Sequence, residues 1–336
     1  MVWKWLVGGL VAWIGLRLLA PEPVPTFDDE QHVPLELPGR TVFVHGIEFF
    51  IREDGPEDAP PLVLVHGWGD DTMAIFPRLI PLLSTDHRVI AVDNRNHGKT
   101  DHVRGRYDIT TMADDLDGVL DRLGVRDATV FGFSMGGMIA QSLARRHPDR
   151  VGRLALSGTA ADIPLLTDRL SPLARIGLTL VRAAERVTRT EVSWVRIRYL
   201  THVGAVAPEN ARWYYSAHQN RDPDLYWLSA DAMSRFDARP WIGDLDVPVM
   251  VIVTTRDQLM SPTWQWDLAA RRPDAVVHRL DARHEAPLTH ADELAAHLRE
   301  FAAATPGADG SVDTDQAAAA SEAAERSGGD TDEAAS

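Results

Sequence analysis

From Pro61 onward the chain carries short apolar runs without polar alternation: Leu62 to Val65, Arg88 to Val92, Ala128 to Phe131, Leu154 to Leu156, and Val249 to Val253. Runs of that length, apolar at odd and even positions alike, read as strands buried on both faces. Between them the period changes. Leu116, Val119, Leu120 and Leu123 recur at helical spacing within Thr111 to Leu123, and Met138 to Arg146 reads as a second helix. Alternating strand and helix predicts a parallel sheet with right-handed crossovers. Sites in such sheets lie at the carboxyl ends of the strands. Ahead of this region, Thr41 to Val44 and Ile47 to Arg52 predict a hairpin turning at His45-Gly46. Behind it, Ala275 to Leu280 reads as a last strand and Asp292 to Phe301 as a helix.

The regularity breaks over 161–241, where no buried strand is found and helical stretches carry Trp194, Trp213, Tyr214, Tyr215, Tyr226 and Trp227. About eighty residues inserted between two strands of one sheet make a cap over the strand ends. Within the cap Leu173, Ile176, Leu180 and Val187 share a face, and Arg175, Arg182, Arg186 and Arg189 tend to the other. That pattern fits a solvated face on a packed helix, or a surface that meets anionic lipid. The expected organisation is an anchor or signal-like segment at 1–24, a proline-rich linker at 25–40, core at 41–160 and 242–304, the cap at 161–241, and a disordered acidic tail at 305–336.

Trp5 to Leu16 is an apolar and glycine run, short for a span, with Trp3, Lys4 and Trp5 as an interfacial collar. An uncleaved membrane anchor is the expectation, because Leu18 and Pro21 spoil a signal-peptidase site. A cleaved signal or a buried helix are its rivals. Lys4 before the run and Glu22, Asp28, Asp29 and Glu30 after it favour a catalytic part outside the cytoplasm, with Arg17 counting the other way. A secreted or cytoplasm-facing protein is the alternative. The net charge of −15 is unevenly placed: beyond Thr305 eight acidic residues face Arg326 alone, so the folded part is only mildly acidic. This argues against a nucleic-acid partner. Cysteine is absent, which excludes disulfides and thiolate metal sites.

Gly132-Phe133-Ser134-Met135-Gly136 follows a buried strand and opens a helix near Met135. In that context G-x-S-x-G is a nucleophile elbow, its flanking glycines letting strand and helix backbones approach around an exposed serine hydroxyl. A serine hydroxyl needs a base, usually histidine, and the base an orienting acid. Asp257 follows the strand ending at Val253, and His284 follows the next strand, so the chain order Ser134, Asp257, His284 is that of a hydrolase on this sheet. An oxyanion needs two preorganised amides. The Trp68 N–H, in the loop His66-Gly67-Trp68-Gly69, and the Met135 N–H, at a helix N-terminus, are the candidates. Among rivals, His66 is read as structural, His290 as part of an acidic variant of a capping box over Thr289 to Asp292, and Asp281 as an acid only if it left the strand apart from the base.

With these elements in order, the segment from Val42 to Phe301 resembles the α/β-hydrolase family. The resemblance rests on His66-Gly67-Trp68-Gly69, on Asp93-Asn94-Arg95-Asn96-His97-Gly98-Lys99-Thr100, on Gly132-Phe133-Ser134-Met135-Gly136-Gly137, and on Asp257 and His284. It implies an α/β fold with a mostly parallel eight-stranded sheet, a helical cap after the sixth strand, Ser134 as nucleophile, and Asp257 and His284 as its partners. The elbow is similar to those of small esterases, monoacylglycerol-lipase-like enzymes and cofactor-free haloperoxidases. Serine there counts against epoxide hydrolases and haloalkane dehalogenases, which carry aspartate. The chain departs from the family pattern at Thr254 and Arg283, where glycine is usual, and at Asn96, His97 and Thr100 in the usual D-x-R-G-x-G-x-S. Arg283 is expected to face solvent; pointing inward, it would lower the pKa of His284.

The expected activity is hydrolysis of carboxylic esters with apolar acyl groups through an acyl-enzyme, the apolar substrate being suggested by the aromatic cap. No metal or organic cofactor is implied. Alternatives with the same triad are carbon–carbon bond hydrolysis and peracid formation, with His218, Gln219 and Asn220 binding a charged product. A ligand-binding module without turnover is the non-enzymatic alternative. Oligomeric state is not legible.

Overall fold

The computed structural model describes residues 37–163 and 223–304, and between these stretches only residues 197–198, 201–202 and 211. The expected anchor at 1–24, most of the linker, the tail from 305, and the cap residues Arg175, Arg182, Arg186, Arg189, Trp194, Trp213, Tyr214, Tyr215, His218, Gln219 and Asn220 lie outside the described residues. No helix among the described residues is long and apolar enough to cross a membrane.

Eight strands form one sheet: β1 (Arg40–Val44), β2 (Ile47–Asp54), β3 (Pro61–Val65), β4 (Arg88–Val92), β5 (Ala128–Phe133), β6 (Val151–Ser157), β7 (Val249–Thr254) and β8 (Val276–Leu280). Their order is β1-β2-β4-β3-β5-β6-β7-β8. The first two pairings are antiparallel and the rest parallel. The hairpin turns at His45 (φ 52°) and Gly46 (φ 83°), the two left-handed residues of a twist-compatible turn. The helices are α1 (Thr72–Ile75), α2 (Leu79–Leu83), α3 (Ile109–Arg122), α4 (Met135–Arg146), α5 (Pro223–Ser234), α6 (Pro262–Ala270), α7 (Ala286–Thr289) and α8 (Ala291–Ala303). Helix α5 lies between β6 and β7, in the insertion expected after the sixth strand.

Alternate residues of the buried strands serve two cores. Val63, Val65, Val130, Leu154 and Val251 pack with Leu116 and Leu120 of α3, Met138 and Leu143 of α4, and Leu268 of α6. Leu62, Leu64, Phe131, Phe133 and Ile252 pack with Leu79 and Leu83 of α2 and with Leu294, Leu298 and Phe301 of α8 on the other face. Covering both faces explains why the strand sequences lack polar alternation.

The departures at positions 96 and 100 keep the local geometry. Asn96 has φ 63°, a left-handed conformation that asparagine tolerates, and its Oδ1 accepts from Val103 N–H at 2.7 Å. Thr100 Oγ1 donates to Asp93 O at 2.6 Å and accepts from Phe50 N–H at 2.9 Å. Asp93 is fully buried; its Oδ1 accepts from Thr72 N–H (2.9 Å) and Thr72 Oγ1–H (2.7 Å), and its Oδ2 from Lys99 N–H (3.0 Å). Arg52 lies 3.6 Å from the same carboxylate and also bonds Thr72. This carboxylate therefore ties the loop after β3 to the loop after β4. Beside it, Asp71 caps α1 by accepting from Met73 and Ala74 N–H. Desolvation and the charge of Asp93 push the Asp71 pKa up to about 7.

The capping box expected over Thr289 to Asp292 does not form. Thr289 ends α7, its hydroxyl donating to Glu285 O at 3.1 Å and lying 2.8 Å from His290 Nδ1. The N-cap of α8 is His290 instead, and Asp292 accepts from Arg78 at 2.6 Å. The extra turn of α7 shifts the helix start by one residue, which takes Thr289 out of capping position.

Two expectations follow. A β-carbon on Gly136 would stand 2.1 Å from Val65 O, contact with backbone that no rotamer relieves. Gly136→Ala should destabilise the fold by about 3 kcal/mol, read by urea denaturation. For Asp71, a folded-state pKa above the unfolded value means stability falls as pH rises from about 4 toward about 7. Asp71→Asn, which keeps the cap acceptor, should raise the thermal midpoint more at pH 8 than at pH 5.

Candidate active site

Ser134 sits between β5 and α4 with φ 55° and ψ −122°, a strained conformation for a residue with a side chain. The turn is held by Ser134 N–H to Ser157 O (3.0 Å) and Gly137 N–H to Ser134 O (2.9 Å). It is possible because strand and helix touch: a β-carbon on Gly132 would lie 2.6 Å from Gly136 O and from Gly137 Cα.

The loops after β7 and β8 bring Asp257 and His284 to this serine. His284 Nε2 is 3.0 Å from Ser134 Oγ, and His284 Nδ1 is 2.8 Å from Asp257 Oδ2. All three residues are buried. Burial works against charge on the His284 imidazole, yet the Asp257 charge and hydrogen bond, helped by the carboxylates of Glu285 and Asp70, hold its pKa above the ordinary value. Burial would raise Asp257, but the His284 charge and hydrogen bond and the amides of Met260 and Leu259 hold its carboxyl below the usual range. An ionised carboxylate only accepts, so Nδ1 carries the proton and Nε2 presents its lone pair to the Ser134 hydroxyl. Phe133 packs against the imidazole with ring centroids 4.9 Å apart.

The two amide candidates flank the serine. Met135 is the first residue of α4, where N–H groups have no intrahelical acceptor. Trp68 follows Gly67, whose Cα is so close that a β-carbon there would lie 3.1 Å from Ser134 Cβ. His66 stands apart from the chemistry: its Nδ1–H donates to Gly67 O (2.8 Å), and its Nε2 accepts from Asn94 N–H (2.9 Å). Burial, opposed in part by Asp93, lowers its pKa, so it is a neutral strut between the loops after β3 and β4. Asp281 is exposed and pairs with Arg256 at 3.0 Å, away from the base.

Sequence reasoning missed two groups. Trp68 stacks on Tyr226 of α5 with ring centroids 4.1 Å apart, and its Nε1–H donates to Tyr226 O at 2.8 Å. The cap helix thus rests on the loop carrying a candidate oxyanion amide. A second anchor is Tyr107, whose hydroxyl is 2.6 Å from Ser229 Oγ. Thr254, noted in the sequence only as a departure, and Gln265 of α6, not noted at all, both contact Asp257 Oδ2. No local pattern marks Gln265, since its partner is set by how α6 packs on β7. Among the described residues no group of three or more histidine, aspartate or glutamate side chains is arranged to hold a metal ion.

Comparison with known proteins agrees with this architecture. A family model described as the α/β hydrolase fold matches residues 60–291. The chain is 30% identical over 259 residues, 74% of its length and 95% of the relative's, to a pimeloyl-[acyl-carrier protein] methyl ester esterase of Neisseria meningitidis serogroup B. It is also 30% identical over 284 residues, 81% of its length and 99% of the relative's, to the magnesium-chelatase 30 kDa subunit of Rhodobacter capsulatus. Among solved structures, an enol-lactonase from Burkholderia xenovorans LB400 superposes with a TM-score of 0.67 at 28% identity, covering 78% of this chain and 98% of that one. A sheet that holds a strained serine at the end of its fifth strand, in a chain that the family model matches over residues 60–291, places the chain in the α/β-hydrolase family.

Proposed function

We propose that the protein is a serine hydrolase that cleaves carboxylic esters with apolar acyl groups through an acyl-enzyme. The observation that carries this reading is the hydrogen-bonded line from Ser134 Oγ through His284 to Asp257 Oδ2, at 3.0 and 2.8 Å. Ser134 Oγ attacks the ester carbonyl carbon as its proton passes to His284 Nε2. The carbonyl electron pair moves onto oxygen, and the amides of Trp68 and Met135 receive that oxyanion. When the carbonyl reforms, the bond to the alkoxy oxygen breaks and His284 returns the proton to the leaving alcohol. Water then repeats the sequence on the acyl-enzyme, with His284 again as base. Asp257 holds the imidazole tautomer and balances its transient charge.

Trp68, Tyr226 and Trp227, clustered within about 6 Å ring to ring where the cap meets the loop after β3, support an apolar substrate. The names of two relatives, a methyl ester esterase and an enol-lactonase, support a bond between a carbonyl carbon and an ester oxygen. The apolar run of residues 5–16 supports attachment of the enzyme to a membrane surface.

The test is hydrolysis of p-nitrophenyl esters from acetate to palmitate by the full-length protein. Ser134→Ala should lower kcat at least about a thousandfold, with turnover in the wild type peaking at one chain length. Equal rates in the two proteins would refute the reading. The pH dependence has a definite sign: the base must be neutral, and its pKa is raised, so kcat/KM should fall with acidification along a limb lying above the ordinary imidazole value. Asp257→Asn should lower kcat by roughly 10³ to 10⁴ and move that limb to lower pH.

A further inference from the structure

The carboxylate of Asp257 is held by more than its histidine. Oδ1 accepts from Leu259 N–H at 2.9 Å and Met260 N–H at 2.8 Å. Oδ2, the oxygen that faces His284, is also 2.9 Å from Thr254 Oγ1 and 3.2 Å from Gln265 Nε2. Thr254 is fully buried and Gln265 nearly so. The orientation of the Gln265 amide is set by its neighbours. Oε1 lies 3.0 Å from Thr254 N–H, which can only donate, and Nε2 lies 2.7 Å from Met260 O, which can only accept. The second Nε2 hydrogen then points to Thr254 Oγ1 at 2.8 Å; the threonine hydroxyl lies 3.1 Å from Gln265 Oε1, which already accepts from Thr254 N–H, and donates to the nearer, charged Asp257 Oδ2 at 2.9 Å. The result is a relay of donors, Gln265 to Thr254 to Asp257, ending on the oxygen that orients the base.

We propose that Thr254 and Gln265 are positioning residues that aim Asp257 Oδ2 at His284 Nδ1–H and temper the charge on that oxygen, so that the imidazole is a weaker base than Asp257 alone would make it. The inference rests on the triad reading above. Its physical content is twofold. Two amide donors on Oδ1, and the Thr254 hydroxyl beside His284 on Oδ2, stop the carboxylate from rotating about its axis. Each donor on Oδ2 also withdraws charge that would otherwise stabilise the imidazolium, and a carboxylate already bonded by donors pulls less on the next one. The other charged groups acting on His284 are Glu285 next to it and Asp70 on the loop after β3, and neither is changed by altering Thr254. A residue whose role ended at filling space beneath β7 would be replaced by valine without touching the base.

The test compares Thr254→Val, which keeps the shape and removes the hydroxyl, with Thr254→Ser, which keeps the hydroxyl and removes the methyl. Both are made in the full-length protein, with Ser134 counted by fluorophosphonate labelling. The valine variant should lose about tenfold in kcat, the size of one charge-assisted hydrogen bond, with KM unchanged, and its acid limb should move to higher pH. The serine variant should stay within about twofold of wild type on both measures, by the usual spread of isolated conservative changes. An NMR titration of the His284 ring should show the same upward movement for valine and none for serine, independently of turnover. An unchanged limb and kcat in the valine variant would overturn the proposal, and so would equal losses in both variants. If the valine variant does not fold, Thr254→Ala, which only deletes atoms, carries the same comparison. A wild type without Ser134-dependent turnover would sink the hydrolase reading, while the ring titration would still decide this one.

Discussion

The tight turn at Ser134 is the constraint on which the rest depends. A parallel strand must hand over to a helix that packs back on the same sheet within a single residue, and that residue is left with φ 55°. Strain of this kind, of order 1 to 3 kcal/mol, persists only where the surroundings over-determine it. Here they do so on both sides. The helix backbone sits against β3 and β5, where Gly132, Gly136 and Gly137 leave no room for side chains, and Ser134 N–H is bonded to the end of β6. Relaxing the serine would require separating α4 from three strands at once.

Around that turn the buried polar groups form two connected sets, and each is satisfied by partners from distant parts of the chain. Asp93 gathers Thr72, Lys99 N–H and Arg52, joining the loop after β3 to that after β4. Asp257 gathers His284, Thr254, Gln265 and two loop amides. Burying an ionised carboxylate is costly unless it is paired and hydrogen-bonded, and both are. The first set holds the loop that carries Trp68, and the second holds His284. The two halves of the site are thus rigid for separate reasons, and both converge on a serine that the backbone itself holds in place.

The cap is not an independent lid laid over a finished site. Trp68 lies in the loop beside Ser134 and gives its indole to the cap, stacking on Tyr226 and donating to its carbonyl. Tyr107, in the loop before α3, meets Ser229 one turn further along α5. Movement of α5 would therefore be felt at the loop beside Ser134. This gives the insertion a mechanical link to the loop beside Ser134.

Much of this was legible in the linear chain, because it depends on local patterns. Unalternating apolar runs set the parallel sheet, His45-Gly46 set the hairpin turn, and the glycines around Ser134 set the elbow, since each follows from neighbours in sequence and from steric rules that hold anywhere. The order Ser134, Asp257, His284 followed from counting strand ends. Tertiary structure alone decided what touches across the sheet. His290 took the N-cap of α8 because a short helix formed before it, so the capping box read from Thr289 and Asp292 was displaced. Thr254 looked like a mere departure, and Gln265 like an ordinary helix residue, until the packing of α6 on β7 set both against Asp257. Contacts between residues far apart in sequence leave no periodicity to read; they are fixed by how elements pack, and so only the folded chain shows them.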